Sequence, residues 1–360
     1  VTERIGKPNQ LEKEIEQGSS KSDTLVIMVG KIIVIGASAG GLSALRRLFE
    51  DLDPTLSATI FAVVHTSPSF PSYLATLLAK SSRLPVKFAA QGPFLPGVIY
   101  VAPPNHHVVV ERHGITLSRG PRENRSRPAI DVTMRSAAIS YGRAVIGVVL
   151  TGMLDDGTAG LFYVKRHGGI TIAQDPQDAE FPSMPANAIE HVRIDYVLPL
   201  TQIGPTLNRL SYQELIGNAS AAPYGSANGA EALMIEQDKE SSKLTTYTCP
   251  ECHGPISRIE DGSPIRFRCR VGHAFGLNSL AEAQSEYTEQ VIWSALQALE
   301  AKAEIEENLR QDAQAAGDDA KVIALKKRID DTRRGIALIA EVLHLSNAER
   351  DTTIKSPEET

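Results

Sequence analysis

Three residue types able to do nucleophilic chemistry stand behind three apolar runs of this sequence. The segment KIIVIGASAGG, Lys31 to Gly41, reads as a strand, a glycine-rich turn carrying Ser38, and the start of a helix near Leu42. Gly36, Gly40 and Gly41 admit backbone angles closed to other residues, and free N–H groups at a helix start stabilise negative charge. A second run, ATIFAVVH, ends in His65, a side chain able to take a proton from a serine hydroxyl near neutral pH. A third, AVIGVVL, leads into TGMLDDGTAG and places Asp155 and Asp156 behind it. In open parallel sheets ligands bind beyond the carboxyl ends of the strands, so these groups can converge in one crevice.

A glycine-rich turn between strand and helix also suits a dinucleotide, which makes a nucleotide-binding oxidoreductase the first rival. That reading requires a carboxylate about 20 residues on, at the end of the second strand, to hold the ribose. His65 stands there instead. Singly, a serine in such a turn is a cap, a histidine after a strand a satisfied polar group, and Asp before Gly a turn signal. The serine-hydrolase reading rests on their coincidence at three strand ends. A second rival is a non-catalytic signalling scaffold acting through the C-terminal part of the chain.

That part carries a second chemistry. TYTCPECHGPISRIEDGSPIRFRCRVGHAF contains Cys249, Cys252, Cys269 and His273, a CxxC pair and a CxxxH pair that together offer four ligands to a tetrahedral zinc. His253, next to Cys252, is the weaker candidate for the fourth ligand. Four protein ligands leave no open position, so the expected zinc is structural and stabilises a unit too small for its own core.

Six blocks in order resemble the CheB catalytic domain, the methylesterase of chemotaxis receptors: GASAGG at 36–41, VVHTSPSFPSYLA at 63–75, VAPPNHH at 101–107, RPAIDVTMRSAA at 127–138, LTGMLDDGTAG at 150–160 and AQDPQDAEFPSMP at 173–185. The resemblance implies Ser38 as nucleophile, His65 as base and Asp156, directly before Gly157, as the carboxylate that orients the histidine. It implies an oxyanion donor at the Met153 N–H, helped by the elbow at Ala39 and Gly40, and no cofactor for catalysis. The implied reaction is hydrolysis of glutamyl methyl esters on a methyl-accepting receptor or similar signalling protein, with glutamine deamidation by the same machinery. Ala39 stands where such enzymes often have Thr, and Leu154 and Asp155 where they often have Gly and a small polar residue. Lys31 opens the first strand, so control by phosphorylation of a fused receiver domain is not expected. The basic loop of Arg119, Arg122, Arg125 and Arg127 can either dock an acidic receptor helix, with Arg125 and Arg127 foremost, or be a solvated surface.

The elements that must position these groups follow from the alternation of Val- and Ile-rich runs with helical patterns over 24–212, which predicts an α/β, doubly wound, mainly parallel sheet with helices on both faces. Strands are expected near 31–36, 58–64, 98–101, 144–150 and 170–173, and helices near 40–51, 71–80, 130–141 and 157–167. A polar lead over 1–23 is expected to be disordered, an Ala-, Ser- and Gly-rich stretch over 213–245 to be a linker, and 246–277 to be a zinc-ribbon-like module. A helical hairpin is expected over 278–348, before a tail at 349–360. Its second helix carries Val322, Leu325, Ile329, Ile336, Ile339 and Leu343 as a stripe; its first carries Ile292, Leu296, Leu299 and Ala303, then slips at Ile305 and Leu309. These helices are a possible surface for a protein partner.

The 360 residues are 42% hydrophobic with a formal net charge of −6, enough for a sizeable core and without the basic footprint of a nucleic-acid binder. The longest apolar stretch, Leu25 to Ile35, is broken by Gly30 and Lys31 and falls short of the roughly 20 residues that span a bilayer. With no signal-peptide pattern, the expected compartment is the cytoplasm and membrane insertion is not expected.

Overall fold

The computed structural model describes residues 30–65, 73–212 and 229–354. The expected disordered lead and most of the first half of the expected linker lie outside the described residues. No described helix is long and apolar enough to cross a membrane.

Three apolar runs form the centre of a seven-stranded sheet. β1 (Ile32–Ala37), β2 (Thr59–Val64) and β7 (Val145–Val149) are buried along their whole length. Such strands tolerate no polar face and therefore pack helices on both sides. β3 (Val86–Phe88) and β4 (Ile99–Val101) extend the sheet beyond β2, and β8 (Ile170–Gln174) and β9 (Tyr196–Leu198) extend it beyond β7. The order is β3-β4-β2-β1-β7-β8-β9 and every pairing is parallel.

Alternate residues of each strand serve opposite cores. Ile33 and Ile35 of β1 face Leu45, Leu48 and Phe49 of α1 (Gly41–Glu50), together with α2 (Leu74–Ala79) and α6 (Leu200–Ser211). Ile32 and Val34 face Ile130 and Met134 of α3 (Ile130–Tyr141), together with α4 (Thr158–Arg166) and α5 (Ser183–His191). The hairpin of β5 (His107–Glu111) and β6 (Gly114–Ser118) lies against α3, where Ser136 Oγ and Thr133 Oγ1 bond the Val110 N–H and the Val108 carbonyl.

The stretch expected as a linker over 213–245 contains a helix that local patterns do not predict, α7 (Ala230–Glu240). Its composition is polar because few side chains hold it: Ala230 and Met234 pack on Val109, Ala129, Val132 and Ile139, and the buried Asp238 makes its main attachment through arginines. After it, β10 (Ser242–Thr248), β11 (Pro255–Ile259), β12 (Arg266–Cys269) and β13 (Ala274–Gly276) form a four-stranded antiparallel meander. α8 (Leu277–Ala315) and α9 (Asp319–Ile354) then form a hairpin. Leu325, Ile329 and Leu343 are buried in its seam, as is Leu296. Ile305 and Leu309 are exposed where the pattern slips, and the buried Glu306, paired with Arg328, occupies the seam at that level.

Candidate active site and metal centre

The register of the central strands delivers the three groups to one edge. Ala37 of β1 is level with Val64 of β2, so Ser38 and His65 are the first residues past the paired strands. The loop after β7 begins at Leu150, whose N–H extends the ladder to the Gly36 carbonyl, and the Ser38 N–H answers with the Thr151 carbonyl at 3.0 Å. Gly40 takes φ 72° as the residue before α1, closing the elbow with the bond from the Gly41 N–H to the Ser38 carbonyl. An L side chain there is strained, and its Cβ would stand 2.8 Å from Glu180 Oε2.

Ser38 Oγ lies 3.0 Å from His65 Nδ1, and His65 Nε2 lies 2.7 Å from Asp156 Oδ2. The histidine therefore faces serine through Nδ1 and the carboxylate through Nε2, so an Nε2–H donated to Asp156 leaves Nδ1 as acceptor for the serine proton. Asp156 is buried at the N-terminus of α3. Its Oδ2 also accepts the Ile130 N–H (2.7 Å), while Oδ1 accepts the Asp131 N–H (3.1 Å), the Gly157 N–H (3.0 Å) and the Asn124 amide (2.9 Å). Burial alone pushes this carboxyl up, but the hydrogen bond and charge of His65 and the N–H donors outweigh it and hold the group below the usual carboxylate range.

Asp131 makes the reciprocal contact. It belongs to the first turn of α3, yet its Oδ1 accepts the Gly157 and Gly160 N–H groups at the start of α4. Each aspartate thus serves the N-terminus of the other's helix, and Asn124 Nδ2 bridges both. Burial, then the negative charge of Asp156, pushes the Asp131 carboxyl well above the ordinary range. Neither Asn124 nor Asp131 stands out in sequence. The only local hint is that Asn tolerates the positive φ that position 124 adopts.

The Ala39 carbonyl is bonded by Thr151 Oγ1 at 3.1 Å, which also accepts the Phe181 N–H at 2.8 Å, fixing the elbow against the loop after β7. Among the described residues the N–H groups of Ala39, Gly40 and Met153 meet no acceptor, and the Met153 side chain is exposed. Leu154 adopts φ 65°, the left-handed conformation that explains why Gly suits this position, and its N–H is held by Ser183 Oγ. Asp155 turns away from His65 and accepts the Asn278 N–H (2.9 Å) and the Ser279 hydroxyl at the start of α8.

Two arginines of the basic loop reach the C-terminal module, while Arg119 and Arg122 remain exposed to solvent. Arg122 pairs with Glu251 and Arg125 with Glu286, while Arg119 bonds His106. Arg127 forks onto Asn105 Oδ1 and bonds the carbonyls of Arg119 and Gly120. Arg125 and Arg127, the residues expected to dock an acidic helix, are thus engaged by Glu286 and Asn105 within the protein.

Cys249, Cys252, Cys269 and His273 bring their ligand atoms within 4.8 Å of one another. Cys252 Sγ and Cys269 Sγ are 3.6 Å apart, and His273 Nδ1 is 3.6 Å from Cys269 Sγ and 3.8 Å from Cys249 Sγ. A tetrahedral zinc with arms of about 2.3 Å to sulfur has ligand–ligand edges of about 3.8 Å, so the donor set fits that ion. His253 instead stacks on Tyr287 of α8, with centroids 4.6 Å apart.

Residues 33–207 match the family described as CheB methylesterase. A putative protein-glutamate methylesterase/protein-glutamine glutaminase of Leptospira interrogans serogroup Icterohaemorrhagiae serovar copenhageni is 38% identical over 185 residues, covering 51% of this chain and 96% of that protein. The protein-glutamate methylesterase/protein-glutamine glutaminase of Pyrococcus abyssi is 40% identical over 182 residues, 49% of this chain and 50% of that protein, so the match spans about half that relative's length. The crystal structure of the Thermotoga maritima CheB methylesterase catalytic domain is 39% identical, covering 50% of this chain and 98% of that one with a TM-score of 0.49. Through these residues the chain belongs to the CheB methylesterase family.

Proposed function

We propose that this chain is a serine hydrolase that removes methyl esters from glutamyl side chains of a receptor-type signalling protein, and that it deamidates glutamine by the same route. The observation that carries the reading is the unbroken hydrogen-bonded path from Ser38 Oγ through His65 to the buried Asp156. Ser38 Oγ attacks the ester carbonyl carbon while its proton passes to His65 Nδ1. The oxyanion of the tetrahedral intermediate meets the unengaged N–H groups at the elbow and at Met153, beside the start of α1. Each such donor is worth about 3 kcal/mol in acyl-transfer enzymes. Collapse expels methoxide, which leaves as methanol with the proton from His65, and an acyl-enzyme remains. Water, deprotonated by His65, then releases glutamate and restores Ser38. With a glutamine substrate the leaving group is ammonia.

Cys249, Cys252, Cys269 and His273 hold a structural zinc in this reading. The protein substrate is a methyl-accepting receptor, and the cytoplasm is the compartment that suits both it and the reduced cysteines. A fluorophosphonate probe tests the triad: it attaches covalently to Ser38 in the wild-type protein and leaves folded Ser38→Ala unmodified, as read by mass spectrometry of the labelled peptide. Equal labelling of both proteins would remove Ser38 from the mechanism.

A further inference from the structure

Asn124 stands between the triad and the metal-binding module. With Arg125 it forms the tip of a two-residue turn, closed by bonds in both directions between Glu123 and Ser126, and the two tip residues have φ of 49° and 66°. This turn aims the Asn124 side chain inward, where it is buried and fully engaged. Its Nδ2 donates to Asp131 Oδ2 at 2.8 Å and to Asp156 Oδ1 at 2.9 Å. Its Oδ1 accepts the Gly276 N–H at 2.8 Å, and its own N–H donates to the Ala274 carbonyl at 2.8 Å. Gly276 ends β13 and directly precedes α8. One side chain thus joins the carboxylate that orients His65 to the last strand of the module.

The module is seated around this contact from two sides. Asp155 holds the start of α8, and a Cβ at Gly276 would stand only 2.6 Å from Asp155 Cγ, so the close approach depends on glycine. Arg266 and Arg268 of β12 share Asp238 with Arg135 of α3, and Arg268 also pairs with Glu123 beside Asn124.

We propose that Asn124 is a positioning residue through which the docked module sets the triad, a role that rests on the triad reading above. With the Gly276 N–H in place the amide is fixed between the two carboxylates, both of its hydrogens committed. When β13 withdraws, the amide oxygen becomes a buried acceptor without a partner, the amide turns, and Asp156 loses a donor on the oxygen it does not share with His65. Any event that draws β13 from the turn, such as loss of the metal or capture of the α8–α9 hairpin by a partner, therefore lowers the rate of the chemical step rather than substrate binding.

The test uses the full chain and the rate of fluorophosphonate labelling at Ser38, alongside kcat and KM on one methyl ester. Asn124→Ala and Gly276→Ala, one from each side of the contact, each slow labelling and kcat by between about tenfold and a hundredfold, the range for one hydrogen bond to a charged group. KM stays within about twofold, and the double variant is no slower than the slower single one, because both remove the same link. Hydrogen exchange reports whether β13 and the start of α8 have loosened. Asn124→Ala labelled at the wild-type rate overturns the coupling, as do multiplying defects in the double variant. If Asn124→Ala fails to fold, Gly276→Ala decides: wild-type labelling with a loosened β13 overturns the coupling. A wild-type protein that takes no label overturns the triad reading and the coupling with it, so the two failures are distinguishable.

Discussion

Asp155 and Asp156 are neighbours in the chain whose carboxylates serve different units of the molecule: Asp156 Oδ2 lies 2.7 Å from His65 Nε2, and Asp155 Oδ2 lies 2.9 Å from the Asn278 N–H that opens α8. Past the end of β7 the backbone turns through the left-handed Leu154 and Gly157 (φ 65° and 95°), and this rotation sends the two side chains apart.

Asp156→Asn is expected to lose about 10⁴-fold in turnover, the usual effect of removing the group that fixes the imidazole tautomer. The variant also loses stability, since both carboxylate oxygens meet N–H donors and an amide NH2 in either place faces a donor. Asp155→Asn keeps an acceptor at the helix start and is expected to change turnover by less than about tenfold, with a stability loss of about 1 kcal/mol or less. Turnover on a single methyl ester substrate separates the two; a larger defect at Asp155 reverses the assignment.

The metal centre gives a second expectation. The purified protein holds one zinc per chain by elemental analysis, and Cys249→Ser or Cys269→Ser abolishes it while raising hydrogen exchange across β10 to β13. His253→Ala keeps the metal, because that ring stacks on Tyr287. Retention of a full zinc equivalent by the Cys269 variant would contradict the ligand set.

A third expectation concerns acid. Burial opposes ionisation of Glu123, Asp238 and Asp261, but the guanidinium groups of Arg135, Arg266 and Arg268 overcome it and hold these carboxyls below their ordinary values. A depressed folded-state value favours folding wherever the carboxylate is ionised. This contribution is fully present above the ordinary carboxylate range near pH 4 and is lost as pH falls through the depressed values. Hydrogen-exchange protection at β12 and α7, taken relative to the intrinsic exchange rate at each pH, should therefore hold from neutrality to about pH 4 and fall below it. Asp238→Ala leaves three arginines facing a buried gap and is expected to cost about 3–5 kcal/mol by denaturant unfolding. A loss below about 1 kcal/mol would show that the arginines find other partners.

The places of Ser38 and His65 in the fold are legible in sequence because each ends an apolar run long enough to be a buried strand, and α3 is legible over the span it occupies, Ile130–Tyr141. The helix seam is legible too, down to the slip that leaves Ile305 and Leu309 exposed. What local patterns miss depends on distant partners. α7 reads as linker because Asp238, its main anchor, meets Arg135, Arg266 and Arg268 from other parts of the chain. β3 and β9 are three-residue edge strands with too few residues to show a period. Asn124 and Asp131 act through a turn tip and a helix start, and the pairing of Arg122 and Arg125 is not legible because their acidic partners, Glu251 and Glu286, lie more than a hundred residues away.

Methanol release from a methylated receptor by the full chain, with wild type and Ser38→Ala compared at equal zinc content, tests directly whether Ser38 is the nucleophile of a methylesterase. Steady release by the wild type is expected, with a loss of at least about 10³-fold in Ser38→Ala and unchanged thermal unfolding. Release by Ser38→Ala at the wild-type rate, or none from the wild type, would contradict that role.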